Sequence, residues 1–171
     1  RFMRRIGVFG IETDTPRGAV AFLRTAGQVL GSPGHALWMN APGRFQDARE
    51  RPVAIAPGVA RLPELAPDAR ILPLALEYPF WSERRPEMLA AFGAPMEGDA
   101  LLALDRPGRA EAIRAALTAT MDRLAADAVA RDEARFRTVH RGREGMGGVY
   151  DLWRRARAAV RGERFEPRHG G

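Results

Sequence analysis

The sequence predicts an α/β fold with a mixed, mostly parallel sheet flanked by helices and a helical C-terminal third. Two apolar runs, residues 35–40 and 69–78, have the composition of strands that are buried on both faces of a parallel sheet. Segments with helical spacing alternate with these runs, as in α/β folds. A third observation is a long apolar stripe between Ala110 and Ala128, which repeats about every 3.6 residues.

In the first third of the chain, β-prone runs alternate with helical segments. The run Gly7–Ile11 is short and β-prone, and its two glycines predict a bend. Thr15 and Pro16 predict a helix start, with Thr as the N-cap and Pro at the first helical position. The helix should reach Leu30 and end at 31–34, directly before the strand at 35–40.

The rest of the chain predicts two strands and three helices. A short helix at 59–65 precedes the strand at 69–78, in which Pro73 indicates an edge or a bulge, and a strand at 87–93 follows. Asp105 and Pro107 should start the longest helix. Beyond a glycine-rich loop at 141–148, the last helix is expected at 149–160. The predicted division is an α/β core at 1–104, packed helices at 105–161 and a polar tail at 162–171.

Composition narrows the classes of function. The chain has no cysteine, which excludes disulfides and thiolate chemistry, and its 27 basic residues are all arginine, giving a net charge of +6. A positive charge favours phosphate esters or anionic lipid surfaces. Aromatic residues, at 8%, are not interleaved with the arginines as a base-stacking surface requires, so nucleic acid is disfavoured. No apolar run has the length of a membrane span, and no metal or cofactor motif is present.

The stretch from Gly34 to Pro52 contains the candidate binding residues. After the apolar run at 35–40, the chain becomes a polar loop with Gly43, Arg44 and Arg49. Glycine lets a backbone approach a ligand closely, and arginine can bind phosphate with two parallel hydrogen bonds. These three residues are therefore the predicted substrate-binding residues. The alternative is an ordinary loop in which the arginines pair with Asp47 and Glu50.

Several segments, taken in order, resemble a known family. The run Gly7–Thr13 is similar to a Gly-x-x-hydrophobic block, and Leu37–Phe45 is similar to a loop of the type Phe-Pro-Glu-Gly-Thr-Arg. Ile71–Leu76 is similar to an apolar strand with a central proline. Gly58–Leu62 and Phe92–Pro95 are similar to the flanking helix and strand end. Together, over residues 1–96, these segments resemble the glycerolipid acyltransferases, including the lysophosphatidic acid acyltransferases and bacterial lysophospholipid acyltransferases.

The sequence departs from the family pattern in the catalytic block. The family's His-x-x-x-x-Asp pair precedes the Gly-x-x-hydrophobic block, so it is expected upstream of Arg1, and the catalytic residues within this sequence are unknown. The segment Leu37–Phe45, which is similar to the Phe-Pro-Glu-Gly-Thr-Arg loop, has Pro42 where relatives have Glu or Gln. His35 and Asn40 share the family's five-residue offset, but Asn cannot supply the charge that stabilises an imidazolium. We interpret His35 as a residue at a strand entry.

The resemblance implies an enzyme that moves an acyl chain from acyl-CoA or acyl-carrier protein to a lysophospholipid or similar hydroxyl acceptor. It implies peripheral contact with an anionic membrane at the cytoplasmic face of the inner membrane, and no bound cofactor. The alternatives are a truncated or degenerate member that binds lipid or a partner without catalysis, and a basic membrane-surface module unrelated to the family. Salt-sensitive binding to vesicles would indicate a surface driven by charge.

Other features carry two interpretations each. Pro79-Phe80-Trp81 is either a turn packed on the domain or a contact with a membrane interface or acyl chain. The last predicted helix, with Trp153 opposite its arginines, either packs on the core or lies on an anionic bilayer. His140 and His169 are isolated, without the spacing of metal ligands.

Overall fold

The computed structural model describes residues 2–12, 15–81 and 86–140. Most of the regular structure is helical, in five α-helices, and the four described strands all lie between the third and the fourth of them. They are α1 (Phe2–Arg5), α2 (Pro16–Leu30), α3 (Leu62–Leu65), α4 (Gly98–Leu102) and α5 (Arg106–Ala130). Short 3-10 turns lie at Val59–Arg61 and Glu133–Arg135. None of the described helices is long and apolar enough to cross a membrane.

The four described strands form two separate antiparallel pairs. They are β1 (Arg70–Ile71), β2 (Leu74–Glu77), β3 (Leu89–Phe92) and β4 (Met96–Glu97). β1 pairs with β4, and β2 pairs with β3. In the first pair, Arg70 lies opposite Glu97, and their side chains form an ion pair at 3.0 Å. In the second, hydrogen bonds from Glu87 N to Pro79 O and from Gly93 N to Pro73 O set the register.

The predicted mostly parallel sheet is therefore wrong for the described part of the chain. The runs 7–11 and 35–40 have no regular secondary structure, although Leu37 and Met39 turn toward the core while Trp38 is exposed. This alternation is strand-like, but a strand needs a neighbour for its backbone hydrogen bonds. The predicted strand at 69–78 is split at Leu72 and Pro73 into β1 and β2, which pair with different partners.

One compact unit comprises residues 1–73 and 92–120. Its core contains Phe22 and Ala26 of α2, Val59 and Leu62 around α3, Leu101 of α4 and Ile113 of α5. α3 contacts both α2 and α4. Helix α2 begins as predicted, because the Thr15 side chain accepts a hydrogen bond from Gly18 N at 3.0 Å. Leu23 and Leu30, on the same side of this helix as Phe22 and Ala26, pack against the core.

The second unit comprises residues 74–91 and 121–171, of which 82–85 and 141–171 lie outside the described residues. Its core joins Ala75 of β2 and Leu89 of β3 to Leu124 and Ala128 of α5. Trp81 packs edge-to-face on Phe136, with ring centroids 5.7 Å apart, and its Nε1 donates to the carbonyl of Ala128 at 3.0 Å. One face of the β2–β3 pair is thereby covered by the C-terminal part of α5.

The local predictions agree with the structure better than the sheet does. The helices predicted at 16–30 and 59–65 and the long helix after Asp105 are confirmed, as is the strand within 87–93. Every residue of the predicted α5 stripe is buried or half-buried: Ala110, Ile113, Leu117, Met121, Leu124 and Ala128. The glycine-rich loop at 141–148 and the helix at 149–160 lie outside the described residues. The predicted domain division stays a prediction, since much of its C-terminal part lies there too.

Candidate functional site

The candidate site is the loop from Asn40 to Pro52, which we call the 40–52 loop. Its start is tied to the chain that follows it, because Ala56 N donates to the carbonyl of Ala41 at 2.7 Å. A turn opens the loop, with Gly43 N donating to the carbonyl of Asn40 at 3.1 Å. The preceding residues, Leu37 and Met39, pack against the core of the first unit and anchor the loop.

Gly43 is required by the backbone of this turn. Its φ is +65°, in the left-handed region that side chains with a Cβ rarely adopt. A Cβ at this position would lie 3.3 Å from the Cβ of Ala56, a tight contact. The prediction that Gly43 binds substrate remains untested, and the geometry gives this glycine a conformational reason to be in the loop.

Arg44 follows Gly43 and is exposed. Among residues 2–12, 15–81 and 86–140, its guanidinium forms no hydrogen bond or ion pair, so all five of its N–H donors are available to a ligand. The next side chain, Phe45, is fully exposed, and Trp38 at the entry of the loop is 71% exposed. An available cation in a segment with exposed aromatic rings suits an amphipathic anion.

Arg49 is engaged within the loop. Its Nε and Nη2 donate to the two carboxylate oxygens of Asp47 at 3.0 and 2.9 Å, and its backbone N donates to Asp47 Oδ1 at 2.9 Å. The hydrogen bonds from the Arg49 side chain and backbone lower the pKa of Asp47 from 3.8 to about 2. The same pairing raises the pKa of Arg49. Arg49 therefore has the local partner that the ordinary-loop alternative assigned to it, and its role in binding stays a prediction.

Gln46 is a feature that the sequence did not indicate. Its side-chain oxygen is buried and accepts no hydrogen bond from the described residues. An unsatisfied buried acceptor costs free energy, so a donor supplied by a ligand would be favourable here. Gln46 is one of seven polar residues in the 40–52 loop, and nothing in the sequence distinguishes it as a ligand-binding residue, because only the fold determines its burial.

His35 lies outside any catalytic arrangement in the described structure. Its Nδ1 lies 3.1 Å from the carbonyl oxygen of Pro33, which is hydrogen-bond distance. The side chain is exposed. No cluster of three or more potential metal-ligating side chains occurs within 2–12, 15–81 and 86–140. Two residues named in the sequence analysis lie outside the described residues. They are His169 and Thr13, the last residue of the segment that is similar to the Gly-x-x-hydrophobic block.

Comparison with known proteins finds no family model, curated protein or solved structure that matches the chain. A proposal for the function of this chain therefore depends on the geometry of the 40–52 loop and on the motifs of the sequence. What this loop can do chemically is bind an anion through the exposed guanidinium of Arg44, while Arg49 is held beside Asp47. The Gln46 oxygen, which has no donor among the described residues, would accept a hydrogen bond from a hydroxyl group of the same ligand.

Proposed function

We propose that this chain supplies the acceptor-binding part of an acyltransferase. The acceptor would be a lysophospholipid or similar amphipathic hydroxyl compound, and the donor an acyl-CoA or acyl-carrier protein. The observation that carries the proposal is Arg44, an exposed guanidinium without a partner in the described residues, on a loop closed by the Ala41–Ala56 hydrogen bond. A phosphate ester is the acceptor group that such a guanidinium binds with two parallel hydrogen bonds.

The aromatic neighbours of Arg44 favour a lipid over a small phosphate ester. Phe45 and Trp38 are exposed, and exposed aromatic rings are favoured where an apolar chain meets a polar headgroup. The order of the family-like segments at 7–13, 37–45, 58–62 and 71–76 supports the same reaction class. The expected place of action is the cytoplasmic face of the inner membrane, with peripheral contact to anionic lipid.

The proposed chemistry is acyl transfer from a thioester to a hydroxyl. A histidine general base accepts the proton of the acceptor hydroxyl, whose oxygen attacks the thioester carbonyl. This attack forms the new C–O bond, the C–S bond then breaks to leave the ester, and the thiolate leaving group takes up the proton held by the histidine. The proposal places this histidine and its aspartate outside residues 1–171. It assigns phosphate binding to Arg44 first and to Arg49 behind it, with Gly43 letting the backbone approach the ligand.

Binding to the 171-residue chain tests the role of Arg44 without the need for catalysis. A short-chain lysophosphatidate below its micellar concentration is titrated by calorimetry against the chain, Arg44→Ala and Arg24→Ala. Arg24 is an exposed arginine on α2, so the control removes the same charge elsewhere. Losing a charged hydrogen-bond pair should weaken binding about tenfold or more in Arg44→Ala. Equal weakening in both variants would show a nonspecific charge effect and would remove Arg44 from the site.

Catalysis is tested on the full-length protein encoded by the gene. With acyl-CoA as donor, Arg44→Ala should raise the KM for the acceptor while leaving kcat nearly unchanged, because the arginine binds ground state and transition state alike. Unchanged acceptor kinetics in this variant would contradict the proposal. If the gene encodes no His-x-x-x-x-Asp motif ahead of Arg1, the acyltransferase proposal is wrong, and lipid binding without catalysis is the function that still fits.

A non-catalytic lipid- or partner-binding module is the second candidate. The observation that favours it is Pro42, which stands in the loop at the position where the family pattern has Glu or Gln, as expected of a degenerate member. On this alternative the titration above would still show binding through Arg44. Acyl transfer would be absent from the full-length protein with either thioester donor, which separates the two candidates.

A further inference from the structure

The β2–β3 pair has two chemically different faces. Its register places Leu76 opposite Ala90 and Tyr78 opposite Met88, since Pro79 bonds Glu87 and Pro73 bonds Gly93. Side chains alternate between faces along a strand, so one face carries Leu74, Leu76, Tyr78 and Phe80 from one side of the hairpin and Met88, Ala90 and Phe92 from the other. The other face carries Ala75 and Leu89, which pack on Leu124 and Ala128 of α5.

The first of these faces, which we call the outer hairpin face, is apolar and exposed. Tyr78, Phe80 and Met88 are 57%, 65% and 66% exposed, and Leu76 is half-buried. The two described acidic residues of the hairpin, Glu77 and Glu87, fall on the opposite face by the same alternation. An apolar face that excludes both nearby carboxylates has the chemistry of a binding surface rather than of a solvated one.

The size of the face argues against a stable dimer as its occupant. With these exposures, and with Phe92 56% exposed on the same face, the large side chains leave on the order of 500 Å² of surface open. A standard protein interface buries about 800 Å² on each partner. The outer hairpin face is thus smaller than a second copy of the chain would need, by about a third.

The side chains and nearby charge fit a lipid surface instead. Tyrosine and phenylalanine are favoured at the membrane–water interface, where tyrosine keeps its hydroxyl in the polar layer. The exposed guanidinium of Arg131 donates to the carbonyl of Trp81, the residue after Phe80, and so places a cation at this end of the hairpin. We propose that the outer hairpin face inserts into the interfacial layer of an anionic phospholipid membrane, with Tyr78, Phe80 and Met88 as the inserted side chains.

This surface is separate from the 40–52 loop and does not rest on acyl transfer. It assigns the membrane contact to specific residues of the second unit. Failure of one proposal leaves the other standing, because short-chain lysophosphatidate binding reports on Arg44, while vesicle binding reports on the hairpin.

Vesicle sedimentation with the 171-residue chain tests the proposal. Vesicles of phosphatidylcholine with about 30% phosphatidylglycerol are compared with pure phosphatidylcholine, the anionic ones being expected to bind more tightly. Phe80→Ser should reduce partitioning about tenfold, the cost of removing one interfacial aromatic side chain. Val129→Ser, on an 82% exposed side chain of α5, is the matched control and should bind normally.

A labelling experiment keeps the test independent of any folding defect. The chain has no cysteine, so Met88→Cys and Val129→Cys each create a single attachment point for an environment-sensitive fluorophore. Anionic vesicles should shift the emission of the label at position 88 to shorter wavelength and leave that at position 129 unchanged. Absence of vesicle binding, equal shifts at both positions, or dimerisation that is lost in Phe80→Ser would each overturn the proposal.

Discussion

The guanidinium of Arg109 donates to the carboxylate of Glu64 at 2.7 Å, which links the start of α5 to α3. Its side chain is only 10% exposed, and its Nε also donates to the carbonyls of Leu101, in the last turn of α4, and of Leu104, just after that helix. One buried arginine thus bonds carbonyls at and after the end of one helix and the carboxylate of another helix, in the first compact unit.

Replacing this arginine should be strongly destabilising. Arg109→Met keeps much of the side-chain volume but removes the hydrogen bonds to the carbonyls of Leu101, Leu104 and Ala60 and the more buried ion pair of Glu64, which should cost about 2–4 kcal/mol. Urea unfolding measures this cost. The control is Arg106→Met, which breaks an ion pair with the same Glu64 from a largely exposed position and should cost much less. Equal losses of unfolding free energy in the two variants would contradict the conclusion that the buried hydrogen bonds of Arg109 stabilise the contact between α5 and α3.

Acid should weaken the same connection. Hydrogen bonds from Arg106 and then Arg109 lower the pKa of Glu64 from 4.5 to about 2. A carboxyl group whose pKa is lower in the folded state contributes its full stability above its ordinary pKa. That contribution is lost as pH falls from about 4.5 to about 2.

The melting temperature of Glu64→Gln should therefore be below that of the original chain at pH 7, and the two should converge toward pH 2. Differential scanning calorimetry across this range measures both. Asp47 also has a pKa of about 2, so its titration falls in the same pH range. Introducing Asp47→Asn into both the original chain and Glu64→Gln removes this second contribution from the comparison. Parallel melting curves at every pH would show that Glu64 contributes no pH-dependent stability.

The helices could be predicted because their determinants are local. Thr15 caps α2 through the amide three residues later, and the α5 stripe repeats within one continuous helix. The sheet failed because strand pairing is non-local. The apolar run at 69–78 resembles one buried strand, whereas Pro73 divides it between partners at Met96 and at Leu89. No local pattern distinguishes Arg109 from the other arginines or shows that the Gln46 oxygen is buried, since both depend on packing.

The core of the second unit should depend on Leu124. This side chain has 0% exposure and contacts the cluster that contains Ala75, Leu89 and Ala128. Leu124→Ala removes buried apolar atoms and leaves a cavity, which should cost about 3 kcal/mol. Chemical denaturation followed by Trp fluorescence measures the loss. Val129→Ala on the exposed side of the same helix is the control, and a comparable loss there would contradict this assignment of the core.

Gly43 should be sensitive to any residue with a Cβ. At φ +65°, Gly43→Ala should cost about 1 kcal/mol through the left-handed backbone alone, and the close Ala56 Cβ adds to this. Gly43→Asn should be better tolerated than Ala, because asparagine visits this region more readily. Thermal unfolding orders the three proteins. If Ala and Asn behave alike, then the contact with Ala56, and not the backbone angle, sets the requirement for glycine.

The Asp47–Arg49 pair should regulate anion binding by the 40–52 loop. A bound phosphate must compete with Asp47 for the guanidinium of Arg49, so Asp47→Asn should tighten lysophosphatidate binding by up to about fivefold, the strength of an exposed ion pair. Because the Arg49 hydrogen bonds hold the pKa of Asp47 at about 2, the affinity of the original chain should not rise until the pH approaches that value. Calorimetric titration at pH 7 checks the effect of Asp47→Asn. Titration of the original chain at about pH 5 and about pH 4, where the phosphate carries the same charge, checks that its affinity does not rise. Arg49→Gln isolates the arginine: if Asp47→Asn raises the affinity equally in that background, the gain comes from removing a nearby negative charge and not from releasing Arg49.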